Sequence, residues 1–232
     1  MACFTTWTVL PHQPIEKLSE NLWCVRGVLP DLKTERKMTV IKGQDGSVFI
    51  HNAIALEEPA MQELEAFGRP SYIIVPNGFH RQDARIWKDR FPSAKVMAPR
   101  GSARKVGKVV PVELTYGEAP SDESVKISHF DGVKEREGVV EVRSSDGTTF
   151  VINDVICNFP KLGGMMGFFL GPTGQPSVPR FTRWFVKAGG GALGEHLARL
   201  ASTPNLRRLI FSHGANIDAQ PNAALETARA TA

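Results

Sequence analysis

Short apolar runs closed by Gly, Pro, Asn or Asp dominate the first half of the chain, and their periods separate strands from helices. Residues 22–27 (LWCVRG) alternate with a period of two and predict a strand. Residues 38–42 (MTVIK) and 47–51 (SVFIH) flank Gly43-Gln44-Asp45-Gly46. An Asp-Gly pair between two apolar runs supplies the positive φ angles of a tight turn, so the two runs predict a hairpin. Residues 57–67 (EEPAMQELEAF) take the helical period, with Pro59 in the first turn and Gly68 as the stop. A continuous apolar run at 72–75 predicts a buried strand that breaks at Pro76-Asn77-Gly78. A helix around 83–91 ends at Pro92, and 95–98 (KVMA) adds another strand. Residues 47–98 therefore read as a βαβαβ unit with short connections.

The second half is richer in strands. Residues 109–114, 125–130, 138–143 and 148–152 have strand character, the last two as a hairpin around Ser145-Asp146-Gly147. A helix at 193–201, a buried strand at 208–212 and a weak or frayed helix from Ala223 complete the pattern. One stretch, about 158–191, fits neither period. It is rich in Gly, Pro, Met and Phe, and a segment of this kind and length predicts a lid, a binding loop or a contact surface. Hairpins on both sides of a βαβαβ unit require antiparallel pairs beside parallel ones. The expected fold is α/β (α+β): one domain over 1–232, built as a four-layer αββα sandwich of two mixed β-sheets flanked by helices.

In such folds, sites form at the carboxyl ends of strands. Four strand ends carry polar groups of interest: His51-Asn52, Asn77 to Asp83, Asn153-Asp154 and His213-Gly214. The order SVFIHNAIAL, YIIVPNGFHRQD, AKVMAP, TTFVINDVICNF and LIFSHG resembles the metallo-β-lactamase fold over roughly residues 20–217. His51-Asn52-Ala53 stands where that family has an Asp-Thr-Gly-like turn. Asp154 resembles its metal-bridging Asp, and His213 its last His. The run HxHxDH, which the family uses to hold two metals, is absent. Two gapless registers are open. One places Asn77, Phe79, Arg81 and Gln82 in the ligand positions, and the other places Gly78, His80, Gln82 and Asp83 there. The second keeps one His and leaves Phe79 free to point into the core. The place of the family's third His falls at Val133, and His129 is four residues away from it.

The resemblance thus implies a divergent member in which His80, Asp154 and His213 remain as ligand types, with Asp83 nearby. Two readings follow. In the first, the metal site is degenerate and no metal is expected. A polar pocket of His51, Asn52, Asn77, His80, Asp83, Asp154 and His213 then holds a small molecule or meets a protein partner, with the apolar run from Met165 to Leu170 covering it or forming the contact. In the second, one Zn, Fe or Mn ion sits on His80, Asp83, Asp154 and His213, and the protein is a mononuclear hydrolase of an ester, thioester or amide. Asp83 or His51 would then accept the proton. Each group also has a purely structural use. Asp83 suits a helix N-cap, Asp154 an Asx-turn, His213 a hydrogen-bonded core position, and the Met/Phe run the protein's own core.

Composition narrows the field only slightly. A net charge of +4 is mildly basic. The densest basic run, Arg100 to Lys108, has no interleaved aromatics, so a solvated loop is expected there and a nucleic-acid partner is not. Cys3, Cys24 and Cys157 are odd in number and far apart, against a disulfide framework or a structural zinc site. The N-terminal residues lack a basic n-region followed by an apolar core, and no window is apolar enough for a membrane span, so a reducing, cytoplasmic setting is expected.

Overall fold

The computed structural model describes residues 3–29, 34–120, 122–185, 188–189 and 191–232. Strands β1 (Glu16–Ser19), β2 (Leu22–Leu29), β3 (Thr34–Lys42) and β4 (Val48–His51) form an antiparallel meander. The chain then crosses through α1 (Glu58–Phe67) to β5 (Pro70–Ile74), through α2 (Ala84–Arg90) to β6 (Lys95–Ala98), and through α3 (Arg100–Val106) to β7 (Leu114–Thr115). Strands β4 to β7 are parallel, and the seven strands lie in sequence order in one mixed sheet.

The second sheet has the order β11-β10-β9-β8, from β8 (Val125–His129), β9 (Gly138–Ser144), β10 (Gly147–Ile152) and β11 (Leu206–Phe211). Strands β8 to β10 are antiparallel and β11 runs parallel to β10. Helices α4 (Gly164–Leu170), α5 (Arg180–Phe185) and α6 (Ala192–Ala201) lie between β10 and β11, and α7 (Pro221–Arg229) follows.

The layers follow from the two-residue period of a strand, which sends neighbouring side chains to opposite faces. Val40, Ile50, Ile73 and Val96 pack outward with Met61, Leu64 and Trp87. Their neighbours Ile41, Phe49, Ile74 and Met97 face inward and meet Ile127, Val140, Val142, Val151 and Ile210 of the second sheet. The far face of that sheet, with Phe150, Leu209 and Phe211, is covered by Leu193, Leu197 and Leu225 of α6 and α7. This is the expected four-layer sandwich.

Several local expectations are revised. The basic run from Arg100 forms helix α3 rather than a solvated loop, and within 109–114 only Leu114 is in a strand. The residues from Ala223 belong to a docked helix that buries Ala224, Leu225 and Ala228. His196 on α6 is buried, with Nδ1 against the Asp131 backbone N–H and carboxylate. The 158–191 stretch folds into two short helices, and α4 buries none of its side chains. The run from Met165 to Leu170 therefore does not pack into the protein's own core.

Candidate metal centre

Three of the strand ends that carry polar groups are shaped by a residue suited to the turn. After β4, Asn52 adopts φ 56°, a left-handed conformation that Asn tolerates better than most residues. The turn aims its side chain back across the sheet. Nδ2 donates to the Lys37 carbonyl at 2.7 Å, which leaves Oδ1 facing His80 Nδ1 at 3.0 Å. After β5, Asn77 Oδ1 accepts from the backbone N–H groups of Phe79 and His80, at 2.8 and 3.2 Å, and closes the turn that presents His80. Its Nδ2 donates to Glu137 Oε2 at 2.9 Å and Asp154 Oδ2 at 2.7 Å. After β11, Gly214 has φ +85° and sits so close to Asn158 that a Cβ would lie 2.0 Å from its carbonyl oxygen. Only glycine fits there, and this close approach sets His213 opposite Asp154.

The result is a cluster of His80, Asp154 and His213 whose ligand-type atoms all lie within 4.8 Å of one another. His80 Nε2 is 3.1 Å from Asp154 Oδ2. His213 Nε2 is 3.5 Å from Asp154 Oδ1 and 3.4 Å from His80 Nε2. The side chains are 7%, 24% and 12% exposed, so the cluster is sheltered yet open on one side.

Hydrogen bonding fixes the ring tautomers. His213 Nδ1 lies 2.8 Å from the Glu35 carbonyl, which can only accept, and His80 Nδ1 faces the Asn52 amide oxygen. Both Nδ1 atoms therefore carry the proton, and in the neutral rings both Nε2 atoms present lone pairs. Two imidazole lone pairs and a carboxylate face one another with no donor among them. A bound cation or an added proton relieves that repulsion. Two imidazoles and a carboxylate, each His held through its other nitrogen by an acceptor, match the ligand chemistry and outer shell of a single Zn, Fe or Mn site. Val133, which the resemblance sets in the place of the family's third His, is buried in the second core.

In the absence of a cation, a proton on the His80 ring is what relieves the repulsion. Burial alone would raise the Asp154 carboxyl; a cationic, donating His80 ring, then His213 and the hydrogen bond from Asn77, outweigh it and hold the group well below the usual carboxylate range. Burial lowers the His213 pKa, so this ring favours its neutral, ligating form.

The remaining site candidates separate. Asp83, expected beside His80, is turned away. It is buried, bonded to the Arg36 guanidinium, and accepts the Ala55 N–H at 3.1 Å. Burial raises its pKa while Arg36 opposes the shift. It is neither a ligand nor an accessible proton acceptor. His51 is also buried and lies outside the cavity wall. Burial, and next the charge of His80, lowers its pKa to about 3. Asn52 and Asn77 orient the cluster without lining the cavity. Phe79 does not enter the core; it is half exposed, with the Lys105 ammonium 3.4 Å from its ring centroid. Arg81 bonds the Lys105 carbonyl instead of facing the cluster.

Two charged residues were missed in the sequence. Lys37 on β3 lines the cavity, and its ammonium donates to the carbonyls of Phe211, at 3.0 Å, and Gly214, on either side of His213. Burial lowers its pKa. A run of four polar residues, Thr34 to Lys37, at the start of a strand was the available signal. Glu137 is buried behind Asn77 and accepts the Val155 N–H at 2.6 Å. Nothing in its local sequence marks it.

Burial first, and the Asp154 charge second, raise the Glu137 pKa from 4.5 to about 8. The folded state therefore keeps a proton that the unfolded chain releases. This group favours folding fully below pH 4.5, and the contribution declines as pH climbs toward 8. Denaturation of the metal-free protein at stepped pH is expected to show stability falling between about pH 5 and 8, by up to ~1.4 kcal/mol per pH unit. Glu137→Gln should flatten that slope.

The cluster forms the floor of a cavity of about 1240 Å³. Phe79, Phe159, Met166, Phe169, Leu170 and Phe181 build an apolar wall, and Arg26, Glu35 and Lys37 stand on the polar side.

No protein-family model and no curated protein sequence matches the chain. Solved structures do. The metallo-β-lactamase DIM-1, in a crystal exposed to ceftazidime, aligns with a TM-score of 0.64 at 15% identity over 96% of this chain and 99% of its own. FIM-1 from Pseudomonas aeruginosa, in its mono-zinc form, gives 0.61 at 10% identity over 96% of both chains. The metallo-β-lactamase from Pontibacter korlensis gives 0.62 at 10% identity over 96% of this chain and 100% of its own. The chain has the metallo-β-lactamase fold, and its sequence contains no HxHxDH run. Among the described residues no helix is long and apolar enough to cross a membrane.

Proposed function

We propose that the protein is a mononuclear metal-dependent hydrolase of an ester, thioester or amide, with His80, Asp154 and His213 as the ligands. One observation carries this reading: two His Nε2 atoms and a carboxylate converge within 4.8 Å of one another, with the Nδ1 of each ring held by the Asn52 amide oxygen or the Glu35 carbonyl. A Zn, Fe or Mn ion bound there would act as a Lewis acid and lower the pKa of water toward neutrality. The chain's own residues do the rest. Asn77 fixes the Asp154 carboxylate and the His80 turn together. Lys37 sets a cation at the cavity floor, where it can hold the polar end of a substrate or the oxygen that gains charge. That FIM-1 is described in a mono-zinc form supports a one-metal reading of this fold.

The test is metal content and turnover together. Protein supplemented with Zn, Fe or Mn and then dialysed is expected to retain about one ion per chain. It should hydrolyse at least one of a set of chromogenic esters, thioesters and amides, with activity lost to chelator and restored by metal. Failure to retain any ion would return the cluster to the alternative, a metal-free polar pocket.

A further inference from the structure

The floor of the cavity explains the chemistry proposed above, but the wall has no part in it. Helix α4 buries none of its side chains. Met166 and Phe169 remain 49% and 41% exposed although they line the cavity. The apolar surface begins at the ligands themselves. The Phe159 ring stacks on His213 with centroids 5.9 Å apart, and Phe79 meets Phe181 edge to face at 5.9 Å. From there it runs outward over Leu162, Met166, Phe169 and Leu170. The volume, about 1240 Å³, exceeds the ~300–1,000 Å³ usual for small-ligand sites.

Three polar groups along this wall are paired within the protein. The Phe168 carbonyl accepts from Arg180 at 2.9 Å, the Thr173 hydroxyl accepts the Leu162 N–H at 3.0 Å, and the Thr182 hydroxyl donates to the Asp154 carbonyl at 2.8 Å. A peptide laid along it would leave its own backbone groups unpaired, at a cost in desolvation. An alkyl chain has nothing to pair, and methionine side chains adapt to its shape. The facing polar side, with Arg26, Glu35 and Lys37, suits a polar head or leaving group.

We infer that the cavity is built for a medium- or long-chain fatty-acyl compound, its chain along the α4–α5 wall and its carbonyl end at His80, Asp154 and His213. The hydrolytic fate of that compound rests on the function proposed above; the binding of its chain does not.

The two are separated by working without metal. Calorimetric titration of the metal-free protein with neutral primary n-alkyl amides of increasing length, below their solubility limits, is expected to show one site. Its dissociation constant should fall about fourfold per added methylene until the wall ends. The double variant Met166→Ser, Phe169→Ser changes exposed positions only and should flatten this dependence, while Phe168→Ser, outside the cavity lining, should keep it. Affinity independent of chain length, or a length dependence that the double variant retains, would overturn the inference. So would self-association through the same two residues with no ligand uptake, which would assign the wall to a second copy of the chain. Chain-length-dependent binding without turnover in the metal-loaded protein would instead remove the hydrolase reading alone.

Discussion

Asp154→Asn is expected to abolish metal retention and metal-dependent hydrolysis while keeping the hydrogen bond from Asn77 that holds the side chain in place. The reason lies in which atom changes. Asp154 Oδ2 accepts from Asn77 Nδ2 at 2.7 Å, and an amide oxygen in that place keeps the bond. Oδ1 faces His80 Nε2 at 3.2 Å and His213 Nε2 at 3.5 Å. The substitution puts an amide nitrogen there and removes the anion. Loss of an outer-shell partner alone costs about 10–100-fold in metal affinity, so loss of one of three direct ligands should cost more than 100-fold. The measurement is thermal denaturation with and without metal, beside elemental analysis. An ion at 100 times its Kd stabilises the native state by ~2.7 kcal/mol. That increment should appear in the parent protein and vanish in the variant. A variant that still binds metal with the parent's affinity would remove Asp154 from the ligand set.

The contrast between Asp154 and Asp83 shows what the sequence could convey. The layers of the fold were legible, because adjacent strand residues such as Val40 and Ile41, or Ile73 and Ile74, must face opposite sides. The turns that ended those strands also marked where polar groups would gather. His80, Asp154 and His213 each stand just beyond a strand end, so topology alone brings them to one edge of the sandwich. Asp83 stands three residues past His80 and looked equally placed. Its partner Arg36 lies on β3, 47 positions away, and no local pattern reveals that pairing. Lys37 and Glu137 were missed for the same reason, since their roles come from burial by distant elements. Asn52 and Asn77 were found as pocket candidates, but their work is indirect. Each spends one end of its amide on a backbone turn or carbonyl and the other on a site residue.

That pairing makes Asp83→Ala the second large effect, on stability instead of chemistry. Arg36 is 4% exposed and the Asp83 side chain fully buried. Arg36 Nε and Nη2 have no hydrogen-bond partner among the described residues, and Nη1 bonds Asp83 and has Gln82 Oε1 at 3.4 Å, so the Asp83 carboxylate is the anion that balances this guanidinium. Removing one member of a buried ion pair leaves the other uncompensated and costs about 3–5 kcal/mol. In a chain of this size that corresponds to a fall in Tm on the order of 10 °C. The Ala55 N–H would also lose its acceptor. Through that bond Asp83 ties the segment following Asn52 to the turn following His80, so it stabilises the ground on which the cluster stands without touching the cluster. Chemical denaturation should therefore show the loss, while metal content per folded chain stays at the parental value. Arg36→Met combined with Asp83→Leu should recover most of the stability, because it removes the unpaired charge along with its partner. A fall in metal content per folded chain in the single variant would instead restore Asp83 to the ligand set.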